Sequence, residues 1–409
     1  MGIEIRNATP DEFQAAVEVM SAAFLEPLEV RNAAEALPDV WDPERTWVAW
    51  DEGQACGTFR SWGTHLTVPG GSQVPAAAVA AVTVLPTHRR RGILTRLAAA
   101  EHAALRERGE AVGLLHASEY PIYGRFGYAP GTRHTAWQIT THATRMRGET
   151  TGTVQLVAPD AAARDQARAV FEAWRVRQPG EIWRRDASWD LALGLAKEPW
   201  AKRWQGWIAL HRDAHGRVDG YARYTGSSEH VEKLPRGTIE VNELHALTPD
   251  AEADLVRYLL SMDLVATVKL DGRRPRERFT WLLDNARAAR ITETGDGMWV
   301  RLFDVPRALE ARRYEHAASM VIEVVDDEAW GGTRRYALDA GPQGATCAET
   351  DREPALTIPV AALSGAYLGG TRLVDLAVAV GADEHRDGAL VQADALFRTA
   401  DDPWCSTHF

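Results

Sequence analysis

The sequence predicts two copies of one mixed α/β unit followed by a smaller α+β unit, and three observations carry that expectation. Around Trp47 the chain reads WVAWDEGQACGTFRSW and around Trp207 it reads WIALHRDAHGRVDGYARYT. Each is an apolar strand, a polar turn and a second strand opened by Gly57 or Gly220, the pattern of a hairpin written twice. Pro86 follows Trp47 by 39 residues and Pro249 follows Trp207 by 42, so the segments after the hairpins correspond as well. Beyond GMWVRLFDVPRALEARRY, roughly Gly297 to Tyr314, the character changes to short strand-like runs, MVIEVVDD, RRYALDA and PALTIPV, then SGAYLGG and a helical stretch, which together read as an α+β unit. The expected division is 1–150, 151–294 and 295–409.

A length of 409 residues with 45% hydrophobic content suits two to four domains with real cores. The balance of 46 basic against 57 acidic residues, net −11, disfavours nucleic acid as the main partner. It suits cationic small molecules or basic peptides, and it is also an ordinary charge for a soluble protein. Cys56, Cys347 and Cys405 are far apart and odd in number, with no CxxC or Cys/His spacing, so neither a disulfide framework nor a metal site is expected. The opening MGIEIRNATPDEF has no signal-peptide pattern and the longest apolar run, VPAAAVAAVTVLP, is too short for a membrane span. The expectation is a soluble cytoplasmic protein. No G-x-S-x-G or Walker pattern is present, which removes hydrolase and nucleotide-triphosphatase readings, and the 13 histidines show no metal spacing.

The stretch TVLPTHRRRGILTRL places three arginines between an apolar strand and an amphipathic helix. Leu94, Leu97, Ala98 and Leu105 recur at helical spacing, so the helix starts near Gly92. Cations at a helix N-terminus oppose its dipole at a cost of a few tenths up to ~1 kcal/mol, unless an anion binds the free N–H groups. A phosphate-bearing ligand and a solvated basic turn both fit this run. The second copy carries Asp250, Glu252 and Asp254 at the same place, which suits an empty helix start and repels phosphate. Downstream, LLHASEYPIYGRFGYAP holds a strand ending near Ser118, then Tyr123 four residues before the pair Gly127-Tyr128.

Strand VTVLP, then Arg89-Arg90-Arg91-Gly92, then a helix, resembles the acyl-CoA motif of the GCN5-related N-acetyltransferase (GNAT) superfamily, with Leu94 standing where a small residue is usual. The tyrosine before Gly127-Tyr128 resembles the signature that closes the CoA site there. Over essentially the full length, THRRRG, HASE, IYGRFGY, the degenerate second copy, the C-terminal unit and the terminal phenylalanine resemble the Eis-type (enhanced intracellular survival) acetyltransferases. That resemblance implies an active N-terminal GNAT fold, a degenerate central one and a sterol-carrier-like C-terminal domain. It also implies acetyl-CoA as cosubstrate without a metal, amine acceptors such as aminoglycosides or lysine side chains, and a homo-hexamer.

Residue by residue, it implies that Val82 and Val84 face the pantetheine arm and that Arg89, Arg90, Arg91, Gly92 and Ile93 surround the phosphates. Tyr123 would protonate the departing thiolate, with Ser118 beside it; a phenol of pKa ~10 still holds its proton at neutral pH. Glu26 stands where the family has an acidic group facing the amine, and His116, next to Ser118 on the strand, falls on the same substrate side. The base would be the terminal carboxylate of Phe409, and the ending DDPWCSTHF carries large apolar groups that gain from burial rather than fraying. A different class of reading is a lipid-binding or scaffold protein that uses the sterol-carrier-like domain.

Overall fold

The computed structural model describes residues 2–26, 32–37, 41–197, 202–327 and 330–409. The chain forms two compact units, one of Met1–Thr132 with Gly297–Phe409, the other of Arg133–Glu198 with Lys202–Asp296.

The first unit is built on a seven-stranded sheet. Strands Glu4–Asn7, Thr46–Asp51, Gln54–Thr67 and Gln73–Val84 run as antiparallel neighbours, Val112–His116 then joins in parallel, and Met298–Leu302 stands between it and the short strand Ala129–Pro130. Strand alternation sorts the side chains onto two covered faces. Val48 packs with Phe13, Ala16 and Val17 of the helix Phe13–Phe24, whereas Trp47 and Ala49 join Ile93, Leu97 and Ala98 of the helix Ile93–Glu107 on the other side. The expected helix thus starts directly after Gly92. It is held by Glu101, fully buried, which accepts from Ser61 Oγ (2.5 Å), Trp47 Nε1 (2.8 Å) and Arg108 Nη2 (2.7 Å). Burial pushes this carboxyl above its usual range in spite of those partners.

The rest of the first unit is a five-stranded sheet in the order Gly344–Glu349, Arg334–Gly341, Ala318–Val325, Leu356–Pro359, Asp383–Glu384, with helices Val305–Ala311, Val360–Ala366, Leu373–Val380 and Ala389–Phe397. The strand-like runs read from the sequence are its members. Its last helix leads into residues 403–409, which have no regular structure, yet Trp404, Cys405 and Thr407 are buried.

The second unit is also a seven-stranded sheet, ordered Ala289–Asp296, Arg133–Thr140, Val265–Arg273, Gly237–Ala246, Val218–Ser227, Trp207–Arg212, Thr153–Val157. The hairpin anticipated at Trp207 is present as Trp207–Arg212 paired with Val218–Ser227. Its helix Pro249–Leu260 is capped by Thr248, whose hydroxyl accepts from the N–H of Ala251, and carries Asp250 and Glu252 in its first turn. The helix Ile93–Glu107 of the first unit has no such cap: Gly92 stands at its N-cap without a side-chain acceptor. The two helix starts are therefore electrostatically opposite.

Candidate active site

The site begins with a defect in a strand. Within Gln73–Val84, Ala81 takes a left-handed φ of 51° and the pairing with Gln54–Thr67 slips between Thr58 and Arg60. Thr58 braces the bulge, its Oγ1 lying 2.7 Å from the Ala81 carbonyl and 2.6 Å from Thr83 Oγ1. On the other side, the parallel ladder with Val112–His116 covers only Ala76 to Val79. Past that point the strands part, and residues 80–84 have backbone groups with no strand neighbour on that edge.

The gap opens onto the arginine loop. Arg90 has a φ of 62° and Gly92 one of 75°, both left-handed. A non-glycine residue held there stores strain on the order of 1 kcal/mol or more, a state kept where the backbone must face inward. A cleft of about 730 Å³ is lined here by Val82, Val84, Arg89, Arg90, Gly92 and Ile93, and on its opposite wall by Ser118 and Tyr123. Arg91 is elsewhere: its Nη1 lies 2.8 Å from Asp51 Oδ2. His88 does line the cleft, with its Nε2 3.4 Å from the same Asp51 oxygen. Sequence reasoning passed over His88 as one histidine among many, although its position directly before the arginines was the available signal.

Tyr123 enters the cleft from a tight turn. The N–H groups of Phe126 and Tyr128 both donate to the Tyr123 carbonyl, at 3.0 and 3.3 Å, and Gly127 closes the turn with a φ of 80°. The phenol is buried beside Tyr128 and Trp299, their ring centres 6.3 and 6.5 Å away. Burial pushes its pKa up to about 12, against a hydrogen bond with Ser118 that lowers it and the Glu119 charge that raises it further. The proton therefore stays on Tyr123 through the neutral range.

The chain end docks on the same unit. The ring of Phe409 meets Trp62 edge-on at 5.9 Å and His116 at 4.8 Å, and His116 Nε2 lies 3.2 Å from the Thr407 carbonyl oxygen, to which it donates. His116 is thus in contact with the tail. Glu26 is exposed at the end of the helix Phe13–Phe24, where its N–H donates to the Ser21 carbonyl; Ala23, Phe24 and Leu25 just before it line the cleft.

In the second unit a side chain crosses the corresponding strand edge. Gly237–Ala246 runs parallel to Val265–Arg273. Where those strands would part, Arg273 Nη1 donates to the Leu244 carbonyl at 2.8 Å and Arg273 Nε to Glu277 at 2.7 Å. A buried ion pair fills the place that is open in the first unit. Among the described residues, no group of three or more His, Cys, Asp or Glu side chains could hold a metal ion, and no helix is long and apolar enough to cross a membrane.

Comparison with known proteins agrees with this layout. Residues 4–131 and 180–302 each match an acetyltransferase (GNAT) domain family, and residues 305–406 match the sterol carrier protein domain family. An uncharacterized N-acetyltransferase of Streptomyces griseus is 39% identical over the whole of both chains. The N-acetyltransferase Eis of Mycobacterium tuberculosis is 36% identical over 77% of this chain and 76% of its own. The crystal structure of Eis1 from Mycobacterium abscessus superposes with a TM-score of 0.85 at 33% identity, covering 99% of this chain and 100% of that one. A tandem pair of such folds, one open and cationic and one plugged, followed by a sterol-carrier-like domain, makes this chain a member of the Eis-type N-acetyltransferases of the GNAT superfamily and an acetyl-transferring enzyme.

Proposed function

We propose that the cleft of the first unit binds acetyl-CoA and delivers its acetyl group directly to an amine, with aminoglycoside-type polyamines and lysine side chains as the acceptor class. The observation that carries this is the continuous path from an uncapped, arginine-flanked helix start, through unpaired strand backbone, to the buried phenol of Tyr123. The N–H groups following Gly92, with Arg89 and Arg90, hold the pyrophosphate; Ile93 packs beneath it, and Arg91 supports the loop through Asp51. Val82 and Val84 offer main-chain groups to the pantetheine amides.

In the transfer, the neutral amine attacks the thioester carbonyl, the C–N bond forms and the C–S bond breaks. Tyr123 gives its proton to the departing sulfur, while Ser118 orients the phenol. A phenol near 12 facing a thiol of ~8.5 is a reluctant donor, but burial raises the thiol as well and narrows the difference. The proton shed by the nitrogen after the C–N bond forms restores Tyr123, and the proton that the ammonium must lose before it attacks goes to the Phe409 carboxylate. At a usual pKa of ~3.5 that group is a weak base, so it works by holding the ammonium close and taking the proton through water. His116 steadies it, and Glu26 attracts the cationic acceptor.

We take residues 1–150 as the acetyl-transferring part, 151–294 as a copy that binds no cosubstrate and 295–409 as the part that supplies the tail. The whole is assigned as a cytoplasmic homo-hexamer without nucleic-acid partners. The test is acetyl-CoA consumption across a panel of polyamines, peptides and monoamines, with mass spectrometry of the products. Replacement of Tyr123 by Phe should lower kcat by roughly 10²–10⁴ with little change in cosubstrate affinity. Equal turnover by that variant removes Tyr123 from the mechanism.

A further inference from the structure

Arg301 is fully buried, an expensive place for a guanidinium, and because its Nε has no hydrogen-bond partner the contacts of its two Nη groups must offset that cost. Its Nη2 donates to Asp326 Oδ2 at 2.7 Å and its Nη1 donates to the carbonyl oxygen of Phe126. Phe126 is the fourth residue of the turn that begins at Tyr123, and its own N–H is bonded to the Tyr123 carbonyl. One guanidinium therefore ties the main chain of the tyrosine turn to a carboxylate contributed by the sterol-carrier-like region. Two further contacts make the tie close. A Cβ on Gly127 would run into Arg301 Nη1 and would lie 2.8 Å from Val360 Cγ1, so the glycine is required by the guanidinium as well as by its φ of 80°. Trp299, two residues before Arg301 on the same face of the strand Met298–Leu302, packs edge-on against the Tyr123 ring. The strand thus grips both the ring and the backbone of Tyr123.

We infer that Arg301 and Asp326 are positioning residues for the general acid: the pair holds the Tyr123 turn so that the phenol reaches the departing sulfur. This assigns a role in acetyl transfer to a residue of the sterol-carrier-like region other than the chain end, and it rests on the reading of Tyr123 as the acid. Neither residue is among those that line the cleft, so the effect reaches the phenol through the turn that carries it. Removing the negative charge of Asp326 leaves the buried Arg301 cation without its counter-ion, and the guanidinium must shift toward other acceptors, carrying the Phe126 carbonyl with it.

The experiment is a double-mutant cycle between Asp326→Asn and Tyr123→Phe, read as kcat and as KM for acetyl-CoA. Asp326→Asn alone should lower kcat at least tenfold, with KM for acetyl-CoA changed less than twofold. In the Tyr123→Phe background the same change should cost less than twofold, because no proton donor remains to be placed. Arg301→Lys, which keeps the charge but lacks a fork to span two acceptors, should give the same split and serves if Asp326→Asn folds poorly. Asp326→Asn and Arg301→Lys enzymes with wild-type kcat, or losses that multiply in the double variants, overturn the inference while Tyr123 stands as the acid. Wild-type kcat in Tyr123→Phe alone overturns the acid reading itself, and the inference with it.

Discussion

The guanidinium of Arg273 donates to the main-chain carbonyl of Leu244 across 2.8 Å, at the point in the second unit that corresponds to the opened strand of the first. A bound pantetheine would need that carbonyl's surroundings free. Arg273 is also paired with Glu277 and lies 3.5 Å from Glu252, so it is held by two carboxylates and does not swing away cheaply. Titration calorimetry should therefore find one acetyl-CoA per chain. A stoichiometry of two would mean that the plug yields.

The single site makes the helix start at Gly92 decisive. Gly92 has a φ of 75°, yet a Cβ built there meets nothing within 4 Å. A substitution is thus disfavoured by backbone conformation and by whatever charge it adds, not by crowding. Gly92→Ala carries only the conformational cost, roughly 1 kcal/mol, and should weaken acetyl-CoA binding several-fold. Gly92→Asp adds a negative charge where phosphate must sit, and should abolish measurable binding while the melting temperature stays within a few degrees of that of Gly92→Ala. Equal affinities for the two variants would show that no anion is bound at this helix start.

Much of this site was legible in the sequence, because its parts are local. The helix start after Gly92, the position of Tyr123 between strand and Gly127, and the opposite charge of the second copy's helix start are all written within a few residues of one another. What was not legible is pairing at long range. The alternation of a strand such as Arg133–Thr140 or Met298–Leu302 is the same whichever sheet receives it. Only the structure shows the first in the second unit's sheet and the latter beside Val112–His116. Arg301 was hidden for that reason, inside a segment read as the approach to a new domain. Arg91 was grouped with its neighbours because three adjacent arginines look alike, whereas the chain direction aims it at Asp51.

Stability of the second unit should hinge on Asp254. This buried carboxylate accepts from the N–H groups of Thr151 (2.9 Å) and Gly152 (3.1 Å), from His211 Nε2 (3.2 Å) and from Arg257. Burial pushes its pKa up, but the amide donors, His211 and the Arg257 charge outweigh that and hold it below the usual value. A lowered pKa means stability that is present above the unfolded value of ~3.9 and is lost as pH falls through the folded one. Asp254→Asn, which breaks a buried ionic cluster, should cost about 2–4 kcal/mol at pH 7. The difference in denaturant midpoint between the two proteins should shrink as the pH is lowered below ~4. A gap of the same size at pH 2 would show that the carboxylate charge is not what stabilises the fold.

The chain end offers the sharpest separation between this mechanism and one whose base lies among residues 1–132. Trp404, Cys405 and Thr407 are buried, Phe409 is wedged against Trp62 and His116, and the His116 imidazole donates to the Thr407 carbonyl. Residues appended after Phe409 turn its carboxylate into a neutral amide and extend the chain beyond its docked ring. The anchoring contacts upstream, at Trp404 and Cys405, are untouched. A C-terminal tag, or deletion of Phe409, should therefore reduce acetyl transfer at least ~100-fold while acetyl-CoA binding and melting temperature remain close to those of the untagged protein. An N-terminal tag is the control. His116→Ala should give a smaller loss of the same kind in the untagged enzyme and no further loss in the tagged one, because the group it steadies is already gone. Normal turnover by the C-terminally tagged enzyme would exclude the Phe409 carboxylate as base and pass that role to Glu119, which lines the cleft, or to His116 itself.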